Sequence, residues 1–354
     1  MGRLAALAGT LLTPHGIDRY LELIDPMLVR EEIRAEVTEV RRQTPGTVTL
    51  TLRPSRAWPG FTAGQYMRVS VDIDGVRRTR CYSPAGSAHR PDRLELTIRA
   101  HEHGLVSRYL HHTARPGLVL GLSRPEGVFT LPQARPEKLL LISGGSGITP
   151  VLSMLRTLAD EDHRGEVTLL HYAATAADVP YREELASLGT RPGTRVVLAH
   201  TRDGEGHLRG RFGERHLAEA APWYRDARTY LCGPEPLRDA VSELYAEAGL
   251  SERLHTEEFT PPALRLDTGG ASGRVRFARS GTEADNTGRP LLEQAEAAGL
   301  SPEHGCRMGI CFSCTQVKAK GAVRDVRSGE VSDDENEEIQ LCISVPVGDV
   351  EIDC

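Results

Sequence analysis

Four cysteines near the end of the chain, Cys306, Cys311, Cys314 and Cys342, follow the spacing C-x4-C-x2-C, with the fourth after 27 further residues. No other feature constrains the fold as tightly, because thiolates at this spacing must converge on one point while a loop wraps around it. The arrangement is the one that holds a plant-type [2Fe–2S] cluster. The first three lie in HGCRMGICFSC, where Gly305 and Gly309 let the backbone approach a cluster and turn its N–H groups toward the sulfurs. The fourth lies in IQLCISVPV, a β-type apolar run that anchors such a loop from below. A structural zinc site is the alternative reading, but zinc ligands usually come as two C-x2-C pairs and one such pair is present here.

With 354 residues the chain has room for two or three domains of about 100–150 residues each. Cys81, Cys232 and Cys354 form no disulfide framework, which fits a reducing, cytoplasmic setting. The apolar start LAALAGTLL falls far short of the ~20 residues of a membrane span and lacks a signal-peptide cleavage pattern. It reads as a docking helix, and any membrane association is expected to be peripheral, through a partner. Residues 271–354 carry 15 acidic and 9 basic side chains, so the whole net charge of −6 falls on this last part. Its densest stretch, EVSDDENEE, precedes Cys342 and is either a surface that steers a basic partner or an ordinary solvated loop. Nothing is basic enough for nucleic-acid binding.

Along the chain, residues 1–35 read as a helical segment in which Thr13 caps LLTPHGIDRYLELIDP. Residues 36–133 hold short alternating runs (TVTLTLR, YMRVSVDID, LELTIRA) separated by Gly/Pro turns, which predicts an antiparallel β-barrel. Residues 134–262 alternate strand and helix, from KLLLISGG and PVLSMLRTLAD to RTYLCGP and PLRDAVSELYAEAG, which predicts a parallel α/β sheet. A Pro/Gly-rich linker, 263–273, leads into the cysteine-bearing domain, 274–354.

Within the barrel, Arg80-Cys81-Tyr82-Ser83 offers a cation for a phosphate, an aromatic face for a ring system and a hydroxyl for a ring nitrogen. Downstream, Ile98 and Arg99 end a strand, Gly104 permits close backbone approach, and Leu105, Val106 and Ser107 open a helix whose N–H groups can cradle a diphosphate. In the next domain, the run Leu139 to Ser143 leads into Gly144-Gly145-Ser146-Gly147-Ile148-Thr149-Pro150 and a helix, a second diphosphate cradle to which Thr149 can add a hydroxyl. Cys232-Gly233-Pro234 ends a later strand, and Phe259 closes HTEEF.

The two flavin elements, with AGQY before them, resemble the barrel of the ferredoxin-NADP reductase superfamily, and G-G-x-G-I-T-P paired with C-G-P resembles its nucleotide domain. The C-terminal part resembles a plant-type ferredoxin domain of β-grasp, α+β form. The resemblance implies FAD rather than FMN, a nicotinamide beside Cys232, a Ser83 hydroxyl near flavin N5, and Phe259 as the terminal aromatic near the flavin, though core packing explains Phe259 almost as well. NADPH is slightly favoured over NADH. Ala174 and Thr175 stand where a phosphate-reading pair is expected, Arg182 and Arg202 are substitutes, and no carboxylate directly follows the second strand.

Barrel, nucleotide domain and ferredoxin in this order resemble the single-chain reductases of multicomponent oxygenases, and the N-terminal segment with RTRCYSPAG resembles actinobacterial reductases that serve stearoyl-CoA desaturases. The implied function is transfer of electrons from NAD(P)H through FAD and the cluster to a separate acceptor, a fatty-acyl desaturase, which would be membrane-bound, or an oxygenase. A cytochrome P450 or Rieske acceptor and a slow redox-sensing module are the alternatives. A reductase releasing free flavin would have no use for the cluster domain.

Overall fold

The computed structural model describes residues 27, 32–102, 104–202, 206–259, 271–305, 307, 309 and 312–354. The expected N-terminal helix and its Thr13 cap, and the linker up to residue 270, lie outside these residues. The chain divides into two compact units, residues 1–73 with 82–259 and residues 74–81 with 260–354.

The first half of unit one is built on β1 (Ile33–Thr44), β2 (Thr47–Pro54), β3 (Met67–Ile73), β5 (Leu94–Arg99), α1 (Leu105–Thr113) and β6 (Val119–Leu122), while β4 (Val76–Tyr82) is counted with unit two except for its last residue. The strands of this half form a curled antiparallel sheet in the order β3-β6-β1-β2-β5, and an isolated bridge joins Pro84 to Leu96 of β5. β1 begins at Ile33, inside the segment expected to be helical, because Ile33, Ala35 and Val37 alternate into the core. β2 is buried on both faces. Val48, Leu50 and Leu52 fill the barrel core, while the Thr49 hydroxyl on the opposite side meets the Tyr181 hydroxyl of the nucleotide half.

That half comprises β7 (Lys138–Gly144), α2 (Ile148–Asp160), β8 (Glu166–Ala173), α3 (Arg182–Leu188), β9 (Thr194–His200), β10 (Leu208–Arg209), α4 (Glu214–Ala220), β11 (Arg228–Cys232), α5 (Glu235–Glu247) and β12 (Leu254–Glu257). The parallel sheet runs β10-β9-β8-β7-β11-β12, so the chain reverses direction across the sheet between β7 and β11. Ligands of open α/β sheets bind in the crevice at such a switch point, outside the carboxyl ends of the strands. Leu139 and Leu141 of β7 pack with α2, whereas Leu140 and Ile142 pack with α5, which explains the unbroken apolar run.

Unit two contains β13 (Arg274–Phe277), β14 (Thr282–Asp285), α6 (Leu291–Ala297), β15 (Thr315–Asp325), β16 (Val331–Ser332), β17 (Glu337–Gln340) and β18 (Ser344–Ile352). The sheet order is β14-β13-β18-β15-β16, with β13 parallel to β18 and β17 added to β15. Phe277, Leu291, Leu292 and Ile352 fill the core under the helix. The fully buried Lys318 ammonium donates to Glu337 and to the Ser332 carbonyl, both at 3.0 Å, and ties the acidic stretch to the sheet. Among the described residues no helix is long and apolar enough to cross a membrane.

Candidate functional site

The flavin side of unit one starts where β4 ends. Ser83 is 2% exposed, and its buried Oγ meets no hydrogen-bond partner among the described residues. An unpartnered buried hydroxyl costs stability, so a ligand polar atom at this point would satisfy it. Tyr82 is half-buried against the barrel core. Arg80, counted with unit two, donates to the carbonyl of Thr79 at 2.7 Å and, within that unit, to the carbonyl of Gly305.

Ile98 is buried and Arg99 exposed at the end of β5. The following turn is closed by Ser107, whose Oγ accepts from the His101 N–H at 3.2 Å and donates to the Gly104 carbonyl at 3.3 Å. Gly104 caps α1, and a Cβ there would stand 2.3 Å from that Oγ, so a larger residue would have to turn the Ser107 hydroxyl out of the turn. Val106 is buried and Leu105 exposed. The opening N–H groups of α1, which have no partner within the helix, and the orphaned Ser83 hydroxyl fit a flavin dinucleotide.

On the nucleotide side, the turn after β7 interlocks with the turn after β11. A Cβ on Gly147 would lie 2.1 Å from the Cys232 carbonyl oxygen, and one on Gly144 would lie 2.8 Å from Pro234 Cδ. Gly145 has φ +55° and leaves room for Arg99, whose Nη1 would be 3.0 Å from a Cβ there. Ile148 and Pro150 are buried at the start of α2. The Thr149 hydroxyl, expected to face a ligand, donates instead to the Ser146 carbonyl at 3.2 Å and so shapes the turn. Arg99, Gly145, Ser146, Thr47, Asp178 and Pro180 line an open cleft between barrel and nucleotide sheet.

Asp178 escaped the sequence reading. Its Oδ2 accepts from the Thr175 hydroxyl at 2.7 Å and from the Thr175 N–H at 3.1 Å, a reciprocal cap whose signal was the T-x-x-D spacing. Arg182 and Arg202 are exposed, and the Arg202 N–H donates to the Ala174 carbonyl at 2.9 Å.

Cys232 has 0% exposure, and burial first, then the neighbouring Glu257, pushes its thiol pKa well up. Glu257 pairs with Cys232 across β12 and β11. Burial pushes the Glu257 carboxyl up to about 8, and its Oε2 is buried without a partner among the described residues. Phe259, half-buried, packs against the same core cluster as Cys232. Behind the glycine turn, the buried Ser143 hydroxyl and His171 Nδ1 are 2.9 Å apart, and burial followed by the charge of His200 lowers the His171 pKa to about 3.

Cys306 and Cys311 lie outside the described residues. Cys314 and Cys342 are buried at 1% and 4% exposure, the Cys342 N–H donates to Cys314 Sγ at 3.4 Å, and the Gly309 N–H donates to Cys342 Sγ at 3.3 Å. Amide groups aimed at sulfur stabilise thiolate and suit an iron–sulfur cluster. Gly309 at φ +69° and the non-glycine residues Arg307 at +59° and Phe312 at +55° bend the chain tightly around this point.

Comparison with known proteins agrees with this layout. Residues 35–131 match the oxidoreductase FAD-binding domain, 141–243 the oxidoreductase NAD-binding domain and 276–347 the 2Fe-2S iron-sulfur cluster binding domain. An NADPH oxidoreductase of Mycobacterium tuberculosis is 37% identical over 99% of this chain and 92% of its own length. A glycine betaine monooxygenase reductase subunit of Pseudomonas aeruginosa is 32% identical over 83% of this chain and 87% of its own. The structure of phthalate dioxygenase reductase superposes with a TM-score of 0.62 over 92% of this chain and 98% of that one, at 23% identity, and shares the fold. A nicotinamide delivers two electrons as hydride and a [2Fe–2S] cluster takes one at a time, so the flavin mediates between them. The chain belongs to the ferredoxin-NADP reductase superfamily, in the branch that joins an FAD-binding, an NAD-binding and a C-terminal 2Fe-2S domain, and is an electron-transferring NAD(P)H oxidoreductase of that family.

Proposed function

We propose that this reductase takes hydride from NADPH in preference to NADH and hands single electrons to a separate oxygen-activating protein, with a fatty-acyl desaturase as the first choice of acceptor. NADPH is supported by the full-length likeness to an NADPH oxidoreductase and by two exposed cations, Arg202, whose N–H bonds the Ala174 carbonyl just after β8, and Arg182 at the start of α3. The desaturase is supported by the resemblance of LLTPHGIDRYLELIDP and RTRCYSPAG to reductases of that system. A monooxygenase acceptor, including a cytochrome P450 or Rieske protein, is the second reading, favoured by the likeness to a monooxygenase reductase subunit. Either acceptor would bring the protein to a membrane only through the partner.

In this reading Ser83 donates its hydroxyl near flavin N5 and Tyr82 covers the ring. The opening N–H groups of α1, from Leu105 to Ser107, hold the diphosphate of FAD, with Ile98, Arg99 and Gly104 shaping its floor. The turn Gly144 to Pro150 holds the diphosphate of NADPH, while Cys232, Gly233 and Pro234 orient the nicotinamide and Phe259 packs as the terminal aromatic near the flavin. Cys306, Cys311, Cys314 and Cys342 ligate the cluster. FAD supplies the exchange between two-electron and one-electron transfer when bound; the protein's part is to align, desolvate and shield.

The interlock of Gly147 with the Cys232 carbonyl carries this reading, since it joins the two nucleotide-binding turns at the switch point. Cys311→Ser should leave NADPH–ferricyanide turnover intact and abolish cytochrome c reduction; equal loss of both would overturn the division of labour. Reconstitution with a purified desaturase or monooxygenase then decides the acceptor. A redox-sensing module would turn over far below the usual enzyme range of about 1–1000 per second with either artificial acceptor.

A further inference from the structure

One face of α2, continued by its C-cap Glu161, carries Ser153, Arg156, Thr157 and Asp160, the five spaced i, i+3, i+4, i+7 and i+8 in chain order. A stripe of that period normally faces solvent when it is polar. Here every member bonds to the segment from Ala85 to Arg90, which begins two residues after Ser83. Ser153 Oγ donates to the Gly86 carbonyl at 2.7 Å and Arg156 Nη1 to the Ala85 carbonyl at 2.8 Å. The Ala88 N–H donates to Thr157 Oγ1 at 3.0 Å, Glu161 meets His89 at 2.8 Å, and Asp160 takes Arg90 through both carboxylate oxygens at 2.9 and 3.1 Å.

Arg156 is the centre of this stripe. Its side chain is 12% exposed, Nε and Nη2 donate to the two Glu184 oxygens at 2.6 Å each, and Nη1 also donates to Glu95 of β5 at 2.9 Å. Its guanidinium carbon stands 4.8 Å from the ring centroid of Tyr181. Tyr181 is itself held in the left-handed region at φ +58°, its N–H donates to Gln43 Oε1 at 3.0 Å, and its hydroxyl bonds to Thr49 and Thr97 of the barrel. A bulky aromatic residue keeps such a φ only where its surroundings over-determine it.

The N-terminus of the same helix is the glycine turn locked against Cys232. One rigid rod therefore carries the nicotinamide-side turn at one end and grips the segment next to Ser83 along its side. Hydride transfer needs reacting atoms about 3–3.5 Å apart and aligned, and a misplacement of 1 Å can cost a factor of about a hundred.

We infer that Arg156 is a positioning residue for hydride transfer: through Glu95, Glu184, Tyr181 and the Ala85 carbonyl it sets the register of α2 on the flavin-side segment, and with it the alignment of nicotinamide C4 on flavin N5. Bound NADPH and FAD are held by other groups, so the residue acts on geometry rather than on occupancy. The inference rests on NADPH-to-FAD transfer and on no choice of acceptor.

The test is anaerobic rapid mixing of the FAD-loaded Arg156→Lys protein with NADPH, following flavin absorbance. It is run beside titration with NADP+, the FAD:protein ratio, and the long-wavelength absorbance of the nicotinamide–flavin complex. Lysine keeps the charge but cannot reach Ala85, Glu95 and Glu184 together. The expected result is a 10- to 100-fold slower flavin reduction and an altered long-wavelength band, with NADP+ affinity and FAD content within threefold of the native protein. Arg90→Ala, at the exposed end of the gripped segment and 67% exposed, should stay within twofold throughout. If Arg156→Lys does not keep FAD, Glu184→Gln is read by the same criteria. Flavin reduction within twofold of native in a variant that keeps FAD overturns the inference, as does a slowdown explained entirely by weaker NADP+ binding. A wrong acceptor would change none of these readouts.

Discussion

Arg156 and Glu257 are both ionisable side chains held away from water in unit one, and they are treated in opposite ways. Burial works against the Arg156 charge, yet the hydrogen-bonded Glu184 carboxylate, the charge of Glu95 and the Tyr181 hydroxyl group outweigh it, and its pKa is raised rather than lowered. Glu257 has no such company. Its Oε2 is unpartnered among the described residues, and burial alone lifts its carboxyl to about 8. A buried charge that is fully paired stays charged and fixes geometry, whereas one left alone discards its charge and keeps a proton within reach of the working pH. The first arrangement lies where the barrel grips the nucleotide sheet, and the second lies beside Cys232, at the edge where the nicotinamide is proposed to bind.

The largest expected effect comes from breaking the paired case. Arg156→Met keeps the bulk of the side chain but leaves Glu95, 11% exposed, with only the looser Arg93 guanidinium at 3.8 Å, and strands the Ala85 carbonyl. Removing one partner of a buried ion pair costs about 3–5 kcal/mol. Glu184, more than a third exposed, can rehydrate, so a loss near the low end, about 3 kcal/mol, is expected in urea unfolding of the FAD-loaded protein. A change below about 1 kcal/mol would place the pair among weak surface bridges.

The unpaired case is sharpened by pH. Glu257 holds its proton up to about 8 when folded, against the ordinary 4.5. Between these values the folded state binds the extra proton, so stability falls as pH rises through that window and levels off above it. Glu257→Gln removes the titration. The native protein should lose roughly 2 kcal/mol relative to the variant between pH 6 and pH 9. Parallel stability curves for the two proteins over that range would show the carboxyl to be solvated.

The same contrast shows why some of the site was legible in the sequence and some was not. The glycine turn from Gly144 to Gly147, the C-G-P turn and the cysteine spacing carry their geometry in residue type, because only glycine tolerates a neighbour 2.1 Å from its missing Cβ. The alternation that fixed barrel and parallel sheet is likewise local. The polar stripe on α2 was invisible because Ser153, Arg156, Thr157, Asp160 and Glu161 read as a solvated face until the Ala85–Arg90 segment is laid against them. Glu257 was passed over for the same reason: its burial comes from β12 joining the sheet beside β11, a pairing that four residues of strand do not announce. The short α4 and β10 were missed for want of periodicity, and Thr149 was assigned outward because its carbonyl partner Ser146 is set by the turn itself.

A neutral group supplies the smallest step and calibrates the other two. Ser107 is 7% exposed, and its hydroxyl closes the His101–Gly104 turn through one accepted and one donated hydrogen bond at 3.2 and 3.3 Å. Ser107→Ala strands no charge and leaves the Cβ in place, so the loss is that of hydrogen bonds worth about 1 kcal/mol each. Because both bonds are long, about 1 kcal/mol in total is expected, which corresponds to roughly fivefold weaker FAD binding. The check is the flavin:protein ratio after gel filtration at graded dilution, together with flavin fluorescence released on dilution. The loss should appear in flavin retention and barely in global unfolding, since the turn lies at the mouth of the proposed diphosphate cradle rather than in the barrel core. An unchanged flavin ratio would remove the α1 turn from the proposed FAD site. A loss as large as that of Arg156→Met would mean that the hydroxyl also contacts the diphosphate directly.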